Sequence, residues 1–118
     1  RILVWAENAG TPNTWLQNGY ADDFGETPFT FALRSEFSCA SNRGSADNPL
    51  LLVNHWLTTG IPVREVAAAV NDRDALLERV RDCEAERGRL PTILATDFVQ
   101  TGDLIEVVDE LNGVADES

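Results

Sequence analysis

Two short stretches with no charged side chain constrain this chain more than anything else in it: Leu50-Leu51-Leu52-Val53 and Thr92-Ile93-Leu94-Ala95. A strand covered on one face alternates apolar and polar residues, whereas a continuous apolar run of this length marks a strand buried on both faces. Each run ends on polar residues, Asn54-His55 in one case and Thr96-Asp97 in the other. Each is then followed by helical patterning. After the first, Pro62 can open a short helix through residues 66–70. Asn71 or Asp72 is placed to cap a longer helix over 73–87, with Leu76, Leu77, Val80 and Cys83 along one face and Gly88 as its stop. After the second, Asp103 can cap a final helix carrying Leu104, Ile105, Val107, Val108 and Leu111, which Gly113 ends. Apolar strands alternating with helices imply βα units in a parallel sheet.

The first 49 residues are patterned less clearly. An apolar run over 2–6 predicts a strand. A loop composition rich in Thr, Pro, Asn, Asp and Gly follows over 11–27, with Trp15, Tyr20 and Phe24 spaced along it. A weaker strand signal covers 29–33, and residues 38–49 again read as loop. A doubly wound sheet and a (β/α) barrel fit this pattern equally well. At 118 residues the chain suffices for one domain, while a complete eight-fold barrel needs roughly 250. If the barrel is correct, about half is absent. The start at Arg1, directly before an apolar run, agrees with a piece of something longer. The expected domain is 1–113, with 114–118 a frayed tail.

Net charge is −11, and all nine basic residues are Arg. Nucleic acid is excluded as a partner, because that binding rests on phosphate neutralisation by Lys and Arg. Docking on anionic lipid by charge alone is disfavoured for the same reason. Any lipid contact has to come from apolar residues at the rim of a site. The sequence has no GxGxxG, P-loop lysine, HExxH or GxSxG, so nucleotide, zinc-protease and α/β-hydrolase chemistry lose their main support. Cys39 and Cys83 are too few for a zinc site. By themselves they read equally as one disulfide or as two separate buried thiols.

In parallel α/β architectures reactive groups collect at the carboxyl ends of strands. Three such ends carry polar residues here: Glu7-Asn8, Asn54-His55 and Asp97. A carboxylate at the position of Asp97 can accept the Nδ1 proton of a catalytic His and fix its tautomer, or simply cap a loop. His55 is the sole histidine. Acid–base cleavage of a phosphodiester ordinarily needs two proton-transfer groups, so His55 reads as structural. Glu7 and Asn8 suit hydroxyls of a polyol or loop amides. Arg34 and Arg43 suit a phosphate or a surface ion pair.

Taken in order, several segments carry a resemblance. They are Leu50-Leu51-Leu52-Val53-Asn54-His55-Trp56-Leu57, Ala69-Val70-Asn71, Arg79, Cys83, Arg87-Gly88-Arg89-Leu90-Pro91, Ala95-Thr96-Asp97-Phe98 and Leu111-Asn112-Gly113. Upstream stand Val4-Trp5-Ala6-Glu7-Asn8 and Phe37-Ser38-Cys39-Ala40-Ser41-Asn42-Arg43-Gly44. Together they resemble the C-terminal portion of the phosphatidylinositol-specific phospholipase C X-domain family, in its secreted bacterial and fungal branch. The resemblance implies an α/β fold that is roughly the C-terminal half of a distorted TIM-type (β/α) barrel. It implies a phosphodiesterase, hydrolase or lyase, acting on a phospholipid or other phosphodiester with two histidines that lie in the N-terminal half, outside this chain. It implies Asp97 as the aspartate supporting the base histidine. Glu7, Arg34 and Glu36 fall near headgroup-binding positions, and Cys39 and Cys83 pair as a disulfide. No cofactor and no metal are implied, and an extracellular or cell-surface location with peripheral membrane contact is. Two alternatives are a non-catalytic lipid-headgroup or scaffold module of the same fold and a metal-dependent glycerophosphodiesterase. Without its other half, the chain is expected to expose a sheet edge and apolar helix faces and to be marginally stable.

Overall fold

The computed structural model describes residues 2–7 and 14–114. In chain order the strands are β1 (Val4–Ala6), β2 (Leu16–Asn18), β3 (Phe24–Glu26), β4 (Leu50–His55) and β5 (Ile93–Thr96); the helices are α1 (Arg64–Ala68), α2 (Arg73–Arg87) and α3 (Leu104–Asn112). Every strand pairing is parallel. β1 pairs with β2, and β3, β4 and β5 form a three-stranded sheet in that order. The two ladders are separate among the described residues, so the fold is a small α/β unit with parallel sheets rather than a closed wall.

Both apolar runs become strands, β4 and β5, but the expected burial on both faces is not met in β5, which is paired on one side only among the described residues and whose four residues are all half-buried. Leu51 and Val53 are fully buried and pack with the sulfurs of Cys39 and Cys83, while Leu94 joins them to a second cluster of Leu76, Leu104 and Val107. The face carrying Leu51, Val53 and Leu94 is therefore the one covered by α2 and α3. Each such fully buried aliphatic side chain contributes about 1.5–3 kcal/mol. Asp72 caps α2 by accepting the Ala75 N–H at 3.0 Å, and Gly88 ends the helix in the left-handed conformation that a C-terminal glycine allows. Cys39 and Cys83 form a disulfide that ties the loop before β4 to α2.

Three expectations are corrected. The run over 29–33 is not a strand: it follows Pro28, finds no ladder partner, and sends Phe31 into an edge-to-face contact with Phe37 while Leu33 stays exposed. The stretch 14–27, read as loop, instead holds β2, a π-helical turn over Gly19–Asp23 and β3. Three-residue strands that contain Gly25 and Glu26 carry no apolar period to read. Asp103 stands at the start of α3 but caps α2 instead, accepting the Arg73 N–H at 2.9 Å. Val114 still bonds to the Asp109 carbonyl at 2.9 Å, and the rest of the predicted frayed tail lies outside the described residues.

Candidate active site

Because β3, β4 and β5 run in one direction, their carboxyl ends share one edge. Side chains alternate across a strand, so residues two apart share a face. Leu51, Val53 and His55 point toward the helices. Leu52 and Asn54 point the other way, and the register sets Glu26 opposite Leu52 and Ala95 opposite Asn54 on that same face. The face turned away from α2 and α3 thus gathers Glu26 and Asn54 at the edge where chemistry collects in parallel sheets.

Glu26 is the centre of a polar cluster there. Its carboxylate, 1% exposed, accepts five hydrogen bonds from described residues. The donors are Tyr20 Oη at 2.9 Å, Asn42 Nδ2 at 3.0 Å, Asn54 Nδ2 at 3.2 Å, and Arg43 through both Nε and Nη2. This forked pairing fixes the guanidinium plane. Arg43 also donates from Nη1 to the exposed carboxylate of Glu7, and it lies over the rings of Tyr20 and Phe29 at 4.5 and 5.0 Å. Burial favours the protonated form of Glu26, but the donors of Arg43, Asn54 and Tyr20 prevail and hold it below the usual carboxylate range. Hydrogen bonding to Glu26 raises Arg43 in turn. Tyr20 is pushed up to about 12 by burial and by its bond to Glu26. None of the three is poised to exchange a proton near neutral pH, so the cluster is unsuited to act as acid or base.

The loop that carries Arg43 is laid directly on β3. Glu26 N–H donates to the Arg43 carbonyl at 3.0 Å and Asn42 N–H donates to the Glu26 carbonyl at 2.9 Å. Gly44 makes that approach feasible: its φ is +76°, and a Cβ there would sit 1.9 Å from the Phe24 carbonyl oxygen.

Asp97 follows β5, two strands from Glu26, a lateral separation of roughly 10 Å at ordinary strand spacing. It is half-buried, and no described residue donates a hydrogen bond to its carboxylate. Its backbone is held in place: Asn71 Nδ2 donates to the carbonyls of Asp97 at 2.9 Å and Thr101 at 3.1 Å. Gly102, with φ +90°, brings the returning chain so close to Asn71 that a Cβ would meet its carbonyl oxygen at 2.3 Å.

Of the residues singled out from sequence, Glu7 and Arg43 join the cluster, and Asp97 stands on the same edge. Asn8 lies outside the described residues. Arg34 and Glu36 are elsewhere. Arg34 pairs with Glu78 on α2, and Glu36 accepts the N–H groups of Ala32 at 2.7 Å and Leu33 at 3.0 Å, closing a turn. His55 faces the helices, buried, with Nε2 2.7 Å from the Val70 carbonyl oxygen and its ring against Phe37; burial lowers its pKa. That contact is structural. Sequence reading misses Glu26, Tyr20 and Asn42. The one available signal was an acid, Glu26, standing between Gly25 and Thr27-Pro28 after an aromatic residue.

A protein-family model described as PI-PLC X 1 matches residues 2–112. The chain belongs to the PI-PLC X family. No curated protein and no solved structure matches it. Membership relates this PI-PLC X chain to phospholipase C-like proteins and, at that coarse level, to phospholipid as substrate. The disulfide is consistent with an extracellular protein. Among the described residues of the PI-PLC X chain, no group of three or more His, Cys, Asp and Glu side chains is arranged to hold a metal ion, and no helix is long and apolar enough to cross a membrane.

Proposed function

We propose that this chain forms part of the active-site wall of a secreted phospholipase C-like phosphodiesterase, as about the C-terminal half of a (β/α) barrel, with the acid and base histidines on strands outside it. The supporting observation is the shared edge. A carboxylate to which no described residue donates, Asp97, and a guanidinium fixed by a buried acid, Arg43 on Glu26, stand on one side of the same parallel sheet. Asp97 orients the base histidine and stabilises its imidazolium. Arg43 and Glu7 contact the headgroup. A guanidinium that donates beside a carboxylate that accepts is suited to a polyol phosphate, in which hydroxyls do both.

The membrane side of the reading rests on the loops that leave this edge. Phe29, Ile61, Val63, Phe98 and Val99 are all exposed, and Ile61 reaches 83%. These loops are tied together: Thr58 bonds to the carbonyls of Phe29 and Phe31, and Arg64 bonds to Thr101 and lies over the Phe98 ring. In a chain of net charge −11, apolar tips suit an uncharged or zwitterionic lipid surface better than an anionic one.

Two variants of the parent polypeptide, meaning this chain with its upstream strands, test the reading. Glu26→Gln is expected to raise KM for a soluble inositol phosphodiester tenfold or more, because Arg43 loses the partner that aims it. Unchanged KM in a folded variant would remove the cluster from the site. Ile61→Asp is expected to weaken sedimentation with phosphatidylcholine vesicles about tenfold while leaving turnover of the soluble substrate intact. Undiminished vesicle binding would reject the rim.

A further inference from the structure

Arg79 is a buried cation with no acidic hydrogen-bond partner among the described residues. It lies on the inner side of α2 and is 4% exposed. All four of its hydrogen bonds go to uncharged acceptors: Nη1 to Cys39 Sγ at 3.2 Å, and Nη2 to the Ser38 carbonyl at 2.7 Å, the Asn54 carbonyl at 3.3 Å and Thr27 Oγ1 at 3.4 Å. The rings of Phe31 and Phe37 flank it at 5.7 and 5.1 Å. Burial lowers its pKa to about 10, which still leaves it charged at neutral pH. Packing alone does not account for such a group, since an apolar side chain of similar volume does as well or better in an interior.

Its partners do account for it. Ser38 and Cys39 belong to the disulfide and its loop, which runs on to Asn42 and Arg43. Thr27 directly follows β3, and Asn54 is the penultimate residue of β4. Thr27 Oγ1 also takes the Asn54 N–H at 3.0 Å, and Asn54 Nδ2 donates to the Thr27 carbonyl at 2.8 Å and to Glu26 at 3.2 Å. We infer that Arg79 is a positioning residue, the strut through which the Cys39–Cys83 bridge sets the geometry of the Glu26–Arg43 cluster. The planar fork of Arg reaches the bridge and both strand ends at once, which the single ammonium of Lys does not.

The inference rests on the reading of that cluster as a substrate contact, and the test separates the two. In the parent polypeptide, Arg79→Met and the double variant Cys39→Ser/Cys83→Ser are each expected to raise KM for the soluble inositol phosphodiester about tenfold, with kcat within about threefold of wild type. Combined, they are expected to raise KM no further than either alone, because they interrupt one connection. A merely structural role lowers the melting temperature and the active fraction, hence kcat, and leaves KM unmoved; that result, or effects that multiply, overturns the inference. If Arg79→Met does not accumulate, Arg79→Lys is read by the same split. Glu26→Gln run alongside assigns any failure: if it raises KM and the Arg79 variants do not, the strut alone is wrong. If it does not, the cluster reading itself has failed.

Discussion

Replacing Asp97 by Asn in the parent polypeptide is expected to lower kcat by about 10³–10⁴, with KM and melting temperature little changed. An aspartate that accepts the Nδ1 proton of a catalytic histidine fixes the tautomer and stabilises the imidazolium. An Asn of the same shape presents an amide with no negative charge and leaves the ring in the wrong form. The structure makes this substitution unusually clean. No described residue hydrogen-bonds the Asp97 carboxylate, and the backbone there is held independently by Asn71 and by the close return of the chain at Gly102. The melting temperature is therefore expected to change little with the charge. The measurement is steady-state hydrolysis of an inositol phosphodiester beside a thermal melt. Turnover within a few-fold of wild type would mean that Asp97 supports no histidine and would favour a module that binds headgroups without cleaving them.

The second large effect concerns stability. Cys39 and Cys83 are 44 residues apart, and opening a loop of that length by Cys39→Ser/Cys83→Ser is expected to cost about 4 kcal/mol on the chain-entropy account. A shift in the denaturant midpoint, with the slope held constant, measures it. The sulfurs lie against Leu51 and Val53 at the centre of the core, and two buried hydroxyls in their place add a desolvation cost in the same direction. A loss below about 1 kcal/mol would mean that the loop before β4 is held without the bridge, by the contacts of Arg79 and of Arg87, which donates to the Cys39 carbonyl at 3.0 Å.

The parts legible in the sequence were those whose pattern is local. β4 and β5 announce themselves by continuous apolar runs, although β5 stays half-buried along its length, and α2 by a cap, an apolar stripe and a terminal glycine within one window. The segment 14–27 was opaque because its order comes from afar. Phe24 is buried by Trp5 and Tyr20, Gly25 is wedged against Ser45, and the charge of Glu26 is tolerated only because Arg43, Asn42 and Asn54 arrive from elsewhere in the chain. Asp103 illustrates the same limit on a smaller scale: its position predicts a cap, yet which helix it caps depends on a contact thirty residues away. The candidate residues were legible unevenly for a related reason. Glu7 and Asp97 could be singled out because they stand at the ends of apolar runs, whereas Glu26 ends a strand too short to see.

The alternation along β4 divides labour within a single strand. Leu51, Val53 and His55 answer to the helices, while Leu52 and Asn54 answer to the opposite face, where Asn54 is itself buried against Glu26 and Thr27. Neighbouring codons of one strand are therefore held by different chemistry, Val53 by apolar packing and Asn54 by polar pairing.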